Sequence, residues 1–237
     1  MDPLKLCHRY ADTLDALDAD LLAAPTPCAD WTVEDLSAHV ATGLFTAAES
    51  FHRARFGAVT PPSTVPDSIP AEALADRIRL AANHLDDALR RGPQRWPDIG
   101  LRFGRYPYPA AVQCLVLEYG VHCNDLDRAT ADATAPLPRE AVDALFGFGA
   151  HYLLLQAEPV EAAPMTFTLR APSATLSITW DGTRWHADRH SGAPECVLSG
   201  SDDDIARLML RRLDVDALET EDPHALAGLF PAAIRPL

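Results

Sequence analysis

Apolar side chains recur every three or four residues through most of the first 160 positions, then switch to strict alternation. Leu4, Cys7, Tyr10, Leu14, Leu17 and Leu21 make one such stripe, and Asp2 with Pro3 supplies an N-cap and a first helical residue, so the spacing predicts an amphipathic helix over 2–23. The segment "APTPCAD" breaks the pattern. "WTVEDL" restarts it, with Thr32 as cap, Asp35 three residues on as a short capping box, and Trp31 placed to staple onto Leu36. This second helix is expected to run to about Arg55. Gly57 and a stretch holding Pro61, Pro62, Pro66 and Pro70 then read as a surface loop, and Leu74, Ile78, Leu85 and Leu89 predict a third helix that stops at Gly92-Pro93. An aromatic loop, "RWPDIGLRFGRYPYP", leads to a fourth helix from Pro109 to about Ala131. A fifth is expected from Pro138 to about Ala157 on Val142, Leu145, Phe146 and Leu153.

From Met165 the period is two. Met165, Phe167 and Leu169 alternate with Thr166, Thr168 and Arg170, and Leu176, Ile178 and Trp180 with Thr175, Ser177 and Thr179; these are strands. "WDGTRW" supplies an Asp-Gly hairpin turn into a third strand through Trp185, and "ECVLSG" a fourth leading into a helix at "SDDDIARLMLRR", whose aspartates suit the positive end of the helix dipole. The fold class expected is α+β, with two domains: a helical bundle over 1–160 and a small mixed α/β domain with an antiparallel-rich sheet over 161–237. The boundary falls at "QAEPVEAAP", where proline and the change of period coincide.

Composition narrows the functions. Thirty-four acidic residues against twenty basic ones give a net charge of −14, which repels nucleic acid and anionic lipid surfaces alike. Five cysteines, Cys7, Cys28, Cys114, Cys123 and Cys196, are widely spaced without a C-x-x-C pair, the distribution of reduced thiols in a reducing compartment. The charged "MDPLKLCHRY" does not resemble a signal peptide and no run of eighteen apolar residues exists, so a cytoplasmic location is expected.

One feature resists a purely structural account. "VLEYGVHCNDL", residues 116–126, reads as the middle of a buried helix, yet Glu118 and His122 stand four apart on the side shared by Leu115, Tyr119 and Leu126. A lone buried carboxylate costs several kcal/mol unless it is paired or bound to a metal. His39 falls within the apolar stripe of the second helix, beside Leu36, Val40, Gly43 and Ala47. Two inward histidines and one inward glutamate from two helices are the donor set of an open zinc site. A hydrogen-bonded core histidine and a simple i,i+4 ion pair are the plain alternatives. Asp125 either orients His122 from behind or lies on the helix surface near Arg128. His52 is expected to face solvent, Cys123 to be a packed thiol, and Trp96, Phe103, Tyr106 and Tyr108 either to wall a pocket or to plug the space under their loop.

"PTPCADWTVEDLSAHV", followed some 80 residues later by "LEYGVHCNDL", resembles the DinB-like bundle of the mycothiol-dependent maleylpyruvate isomerase family. The resemblance implies a divalent metal, zinc first, on His39, Glu118 and His122, and a sterol-carrier-like domain after residue 160. "ARLMLRRLDVDALE" is similar to a family stretch whose arginine, linked to activity, corresponds to Arg212, although Arg211 stands where that family usually has glycine. It also implies mycothiol, the small thiol of actinobacteria, as cosubstrate for an enzyme acting on a small electrophile, either as an S-transferase or as a cis-trans isomerase of maleylpyruvate type. Two other readings stay open: a hydrolase using metal-bound water with Asp125 as proton acceptor, and a non-catalytic module that binds a small molecule.

Overall fold

The structure, a computed structural model, describes residues 2–28, 30–63, 69–90, 98–102, 104–131, 133–187 and 194–235. Pro66, Gly92, Pro93, Trp96 and Phe103 lie outside the described residues. The contacts divide the chain into two units, Met1–Ala141 and Val142–Leu237.

In the first unit, α1 (Pro3–Asp15) starts on Asp2, whose side chain accepts from the Leu4 amide at 3.0 Å. It is shorter than expected. No basic residue stands in its last turn, and Asp15 and Asp18 crowd the negative end of its dipole, so the chain leaves the helix and resumes as a 3-10 turn over Ala19–Ala23. The second helix, α2 (Val33–Ala54), begins on the Thr32–Asp35 capping box, with both reciprocal hydrogen bonds present, an arrangement worth about 1 kcal/mol. Helix α3 (Leu74–Arg90) buries Leu74, Ile78 and Leu85. In α4 (Tyr108–Thr130), buried residues occupy nearly every position from Cys114 to Leu126, as in a helix enclosed on all sides. Helices α1 and α2 both pack on α3 and on α4, which makes a four-helix bundle. The aromatic loop contains a small hairpin that the apolar pattern did not show, β1 (Ile99–Leu101) with β2 (Gly104–Tyr106). Gly100 is required there, because a Cβ would lie 2.2 Å from the Val59 carbonyl oxygen.

The single fifth helix expected over 138–157 is two, α5 (Arg139–Phe148) and α6 (Ala150–Gln156), broken at Gly149, whose φ of 59° lies in the left-handed region. The unit boundary at 141/142 lies within α5, upstream of the change of period near 160, since α6 packs against strands of the second unit.

That unit is a five-stranded sheet of β3 (Met165–Arg170), β4 (Thr175–Trp180), β5 (Trp185–Ala187), β6 (Glu195–Ser199) and β7 (Glu219–Glu221), in the order β5-β4-β3-β6-β7. Only the β3–β6 pair is parallel. The α+β class and the antiparallel-rich sheet are therefore as the alternation predicts. Phe167, Leu169, Ile178 and Leu198 are fully buried, and Phe230, from the short α8 (Phe230–Ala233), meets Phe167 edge to face at 5.3 Å. The polar side of the sheet is buried as well. Thr166 pairs with Thr179 at 3.0 Å and Thr168 with Ser177 at 2.9 Å, so hydroxyls satisfy one another across β3 and β4. Helix α7 (Asp202–Met209) has a second capping box, Ser201 with Asp204.

Candidate metal centre

Residues 79 apart in the chain meet where α2 crosses α4. His39 Nε2 lies 3.2 Å from Glu118 Oε1, and His122 Nε2 lies 3.5 Å from the same oxygen. The two imidazole rings are edge to face with centroids 5.1 Å apart. All three donor atoms fall within 4.8 Å of one another. Ligand atoms held tetrahedrally at about 2.0–2.1 Å from zinc sit about 3.3 Å apart, so the two short edges already have the spacing that an ion would impose. The donors fit the group.

Burial pushes the Glu118 carboxyl up, but hydrogen bonds with His122 and His39 outweigh it and hold the group well below the usual carboxylate range. For His122, burial disfavours the charged ring, yet its contacts with Asp125, Cys28 and Glu118 raise its pKa well above the usual imidazole value. The three groups hold one another through shared protons, which an ion bound there would displace. About a fifth of the His39 and Glu118 side chains stays exposed, against a tenth of His122. The cluster is thus reached from the His39–Glu118 side.

Behind His122 stands Asp125. Its Oδ2 is 3.1 Å from His122 Nδ1, and it accepts from the Cys28 thiol at 3.2 Å. Asp125 is only 1 % exposed, which overturns the surface alternative: position 125 shares the buried side of α4 with His122, three residues earlier. With Nδ1 facing a carboxylate, His122 keeps Nε2 for the donor cluster. Trp31 lies with its ring against His39, centroids 4.8 Å apart.

A narrow cleft meets Glu118, lined among others by Thr46, Ser50, Leu101, Arg102, Cys114 and Tyr119. Gly43, one helical turn beyond His39, also borders it, and a Cβ at Gly43 would meet nothing within 4 Å. Ser50 Oγ is buried without a hydrogen-bond partner among the described residues. Of the aromatic loop, Leu101 and Arg102 reach this cleft, whereas Tyr108 packs edge to face on Phe51 in the bundle.

Arg212 belongs to the second unit, in the turn after α7. Its amide donates to the Arg207 carbonyl at 2.8 Å and the Arg211 amide to that of Leu208 at 3.0 Å. These are the two bonds of a Schellman cap, with Arg211 at φ 58°. A left-handed residue at this position explains physically why glycine is usual there. Sequence reasoning missed Cys28, Trp31 and Arg102 as neighbours of the site. Each sits in a loop or hairpin, where no helical period points to it.

The fold and the donor cluster define a class: a helical bundle with a candidate metal centre between two of its helices, followed by an α/β unit. The family model described as the mycothiol maleylpyruvate isomerase N-terminal domain matches residues 4–127, and the chain belongs to this family. Two uncharacterized proteins from two strains of Mycobacterium tuberculosis are each 30% identical over 154 residues, covering 61% of this chain and 76% of theirs. The crystal structure of the mycothiol-dependent maleylpyruvate isomerase, and that of a histidine-to-alanine mutant of it, superpose with TM-score 0.66 at 19% identity, covering 92% of this chain and 91% of that one. That likeness extends the shared fold beyond the bundle. No helix among the described residues is long and apolar enough to cross a membrane.

Proposed function

We propose that this chain is a metal-dependent enzyme that turns a small thiol, mycothiol, on a small electrophile, as a cis-trans isomerase of maleylpyruvate type or an S-transferase. The observation that carries the reading is the convergence of His39, Glu118 and His122 on one point that is open on one side. The membership of the family and the likeness to the mycothiol-dependent isomerase supply the thiol. A divalent ion held by these three residues, zinc by the donor set, would lower the pKa of a thiol at its remaining position so that the thiolate predominates at neutral pH.

The chain's own residues do the rest. Asp125 holds the proton on Nδ1 of His122 and leaves Nε2 for coordination. Glu118 contributes the one anionic donor, so the site carries less negative charge than a thiolate-rich one and stays electrophilic. The cleft beside Glu118 is lined by Leu101, Cys114 and Tyr119, and Arg102 at its edge offers a cation to an anionic substrate. Arg212 is a second candidate for pairing with a substrate carboxylate. When the thiolate adds to a conjugated carbon, the electron pair of the double bond moves onto the carbonyl as an enolate and the former double bond rotates; return of that pair expels the thiolate and gives the isomer, whereas uptake of a proton from water at the neighbouring carbon releases the adduct and makes the enzyme a transferase.

The position of Asp125 supports the thiol reading over the hydrolase alternative. Asp125 faces Nδ1, on the opposite edge of the ring from Glu118, and its Oδ2 already accepts from Cys28. Elemental analysis of purified protein beside His39→Ala and His122→Ala is the test: one ion per chain is expected, lost in both variants. Calorimetry should then show mycothiol binding only to metal-loaded protein. Full metal content in the two variants would refute the reading.

A further inference from the structure

Between α1 and α2 a backbone bridge pairs Pro25 with Thr32. Thr26 holds it from within: its amide donates to the Trp31 carbonyl at 2.9 Å, and its Oγ1 accepts from the Cys28 amide at 3.2 Å and donates to the Trp31 carbonyl at 3.0 Å. The Trp31 amide in turn donates to the Cys28 carbonyl at 3.1 Å. The backbones of residues 28 and 31 are thereby fixed relative to each other.

Their side chains go to different histidines. Trp31 stands against His39, and Cys28, 6 % exposed, donates to the carboxylate that faces His122. Asp125 Oδ2 thus accepts from two donors, Cys28 Sγ at 3.2 Å and His122 Nδ1 at 3.1 Å. A buried carboxylate needs such donors, and each one removed frees it to rotate. A thiol has one proton to give, and here its acceptor is the oxygen that orients a metal-facing ring.

We propose that Cys28 is a positioning residue of the metal centre: its thiol anchors the Asp125 carboxylate against Nδ1 of His122, so that Nε2 stays aimed at the point shared with His39 and Glu118. This rests on the metal-binding reading above. Cys28, His122 and Asp125 also cluster closely enough to hold an ion themselves. The positioning role is preferred because the thiol lies at hydrogen-bond distance from Asp125, and a thiolate there would set two anions in contact without water to screen them.

The test is zinc affinity, measured with zinc alone by competition with a chromogenic chelator, for the full chain and for Cys28→Ala, Cys28→Val and Cys28→Ser. Losing the hydrogen-bond partner of a metal-ligating histidine costs about 10–100-fold in affinity; Cys28 acts chiefly through Asp125 and also meets His122, so about tenfold is expected for the alanine and valine variants. Serine keeps a donor and should restore most of the affinity, and valine keeps the volume if alanine packs poorly. In an Asp125→Ala background, where no acceptor remains at that position, Cys28→Val should cost much less than in wild type, because the carboxylate through which it acts is gone. The cobalt-substituted protein should show its absorption bands displaced in Cys28→Val and not in Cys28→Ser.

Wild-type affinity in Cys28→Val overturns the proposal, as does a lowered melting temperature of the metal-free variants with affinity unchanged, or an undiminished loss in the Asp125→Ala background. Two zinc ions per chain, one of them lost in Cys28→Ala, also overturns it and makes Cys28 a ligand. Failure of the underlying reading looks different: wild type and His39→Ala would then bind zinc alike.

Discussion

Replacing Asp125 by asparagine separates orientation of the site from its construction. The side chain keeps its shape and burial, but the oxygen that faces His122 Nδ1 at 3.1 Å and Cys28 Sγ at 3.2 Å loses its charge. Removing such a partner weakens metal binding by about 10–100-fold, or about 1.4–2.7 kcal/mol. At an ion concentration of about 100 times the wild-type Kd, binding stabilises the folded protein by about 2.7 kcal/mol. The variant would retain about 1.4 kcal/mol of this after a tenfold loss and about 0.4 kcal/mol after a hundredfold loss. A unit of this size shifts its melting temperature by about 3 °C per kcal/mol. Scanning calorimetry with and without zinc should therefore show a shift of about 8 °C in wild type falling to about 1–4 °C in Asp125→Asn. An undiminished shift would show that His122 is held by something else, and the account of Asp125 as its orienting partner would be wrong.

Three other outcomes follow from the same geometry. In metal-free protein the raised pKa of His122, which its partners impose against burial, gives stability that is complete below the ordinary imidazole value of about 6.5 and is lost as pH rises through the folded value; the stability gap between metal-free wild type and Asp125→Asn, read from urea melts, should narrow above that pH, and a widening gap would contradict the assignment. The depressed Glu118 works in the opposite direction, its contribution disappearing as pH falls below the usual carboxylate range. Gly43→Ala should stabilise α2 by about 1 kcal/mol, since a Cβ meets nothing there, while raising KM by narrowing the cleft at Glu118; an unchanged KM would remove the cleft from the substrate's path. Arg211→Gly relieves a left-handed residue in the α7 cap and should stabilise the second unit by about 1 kcal/mol in chemical denaturation; a loss would mean that the guanidinium contributes more than the backbone strain costs.

The donor triad was legible because its members lie on helices. A 3.6-residue period fixes which side chains share a face, and polar residues on an apolar face stand out at Glu118, His122 and His39. Caps are equally local, so Asp2, Thr32 and Asp35 could be read directly. Cys28 could not. Its partner is 97 residues away, and a turn imposes no period that would aim a thiol at a particular carboxylate. The hairpin of β1 and β2 is too short and too rich in glycine and arginine to alternate, and β7, "ETE", is exposed along its whole length. The Gly149 break was hidden because apolar spacing continues through it; only the backbone angle ends the helix. The burial of the threonines of β3 and β4 could not be read, since alternation distinguishes two faces of a sheet without saying that both are covered.

The tilted contact of Trp31 with His39 has a practical use. An indole senses the charge of a ring lying beside it, so loading and stripping of the ion at His39 should alter the emission of that indole. With the proposed ion bound, the protein would carry its own optical gauge of occupancy, readable in a cuvette without label or substrate.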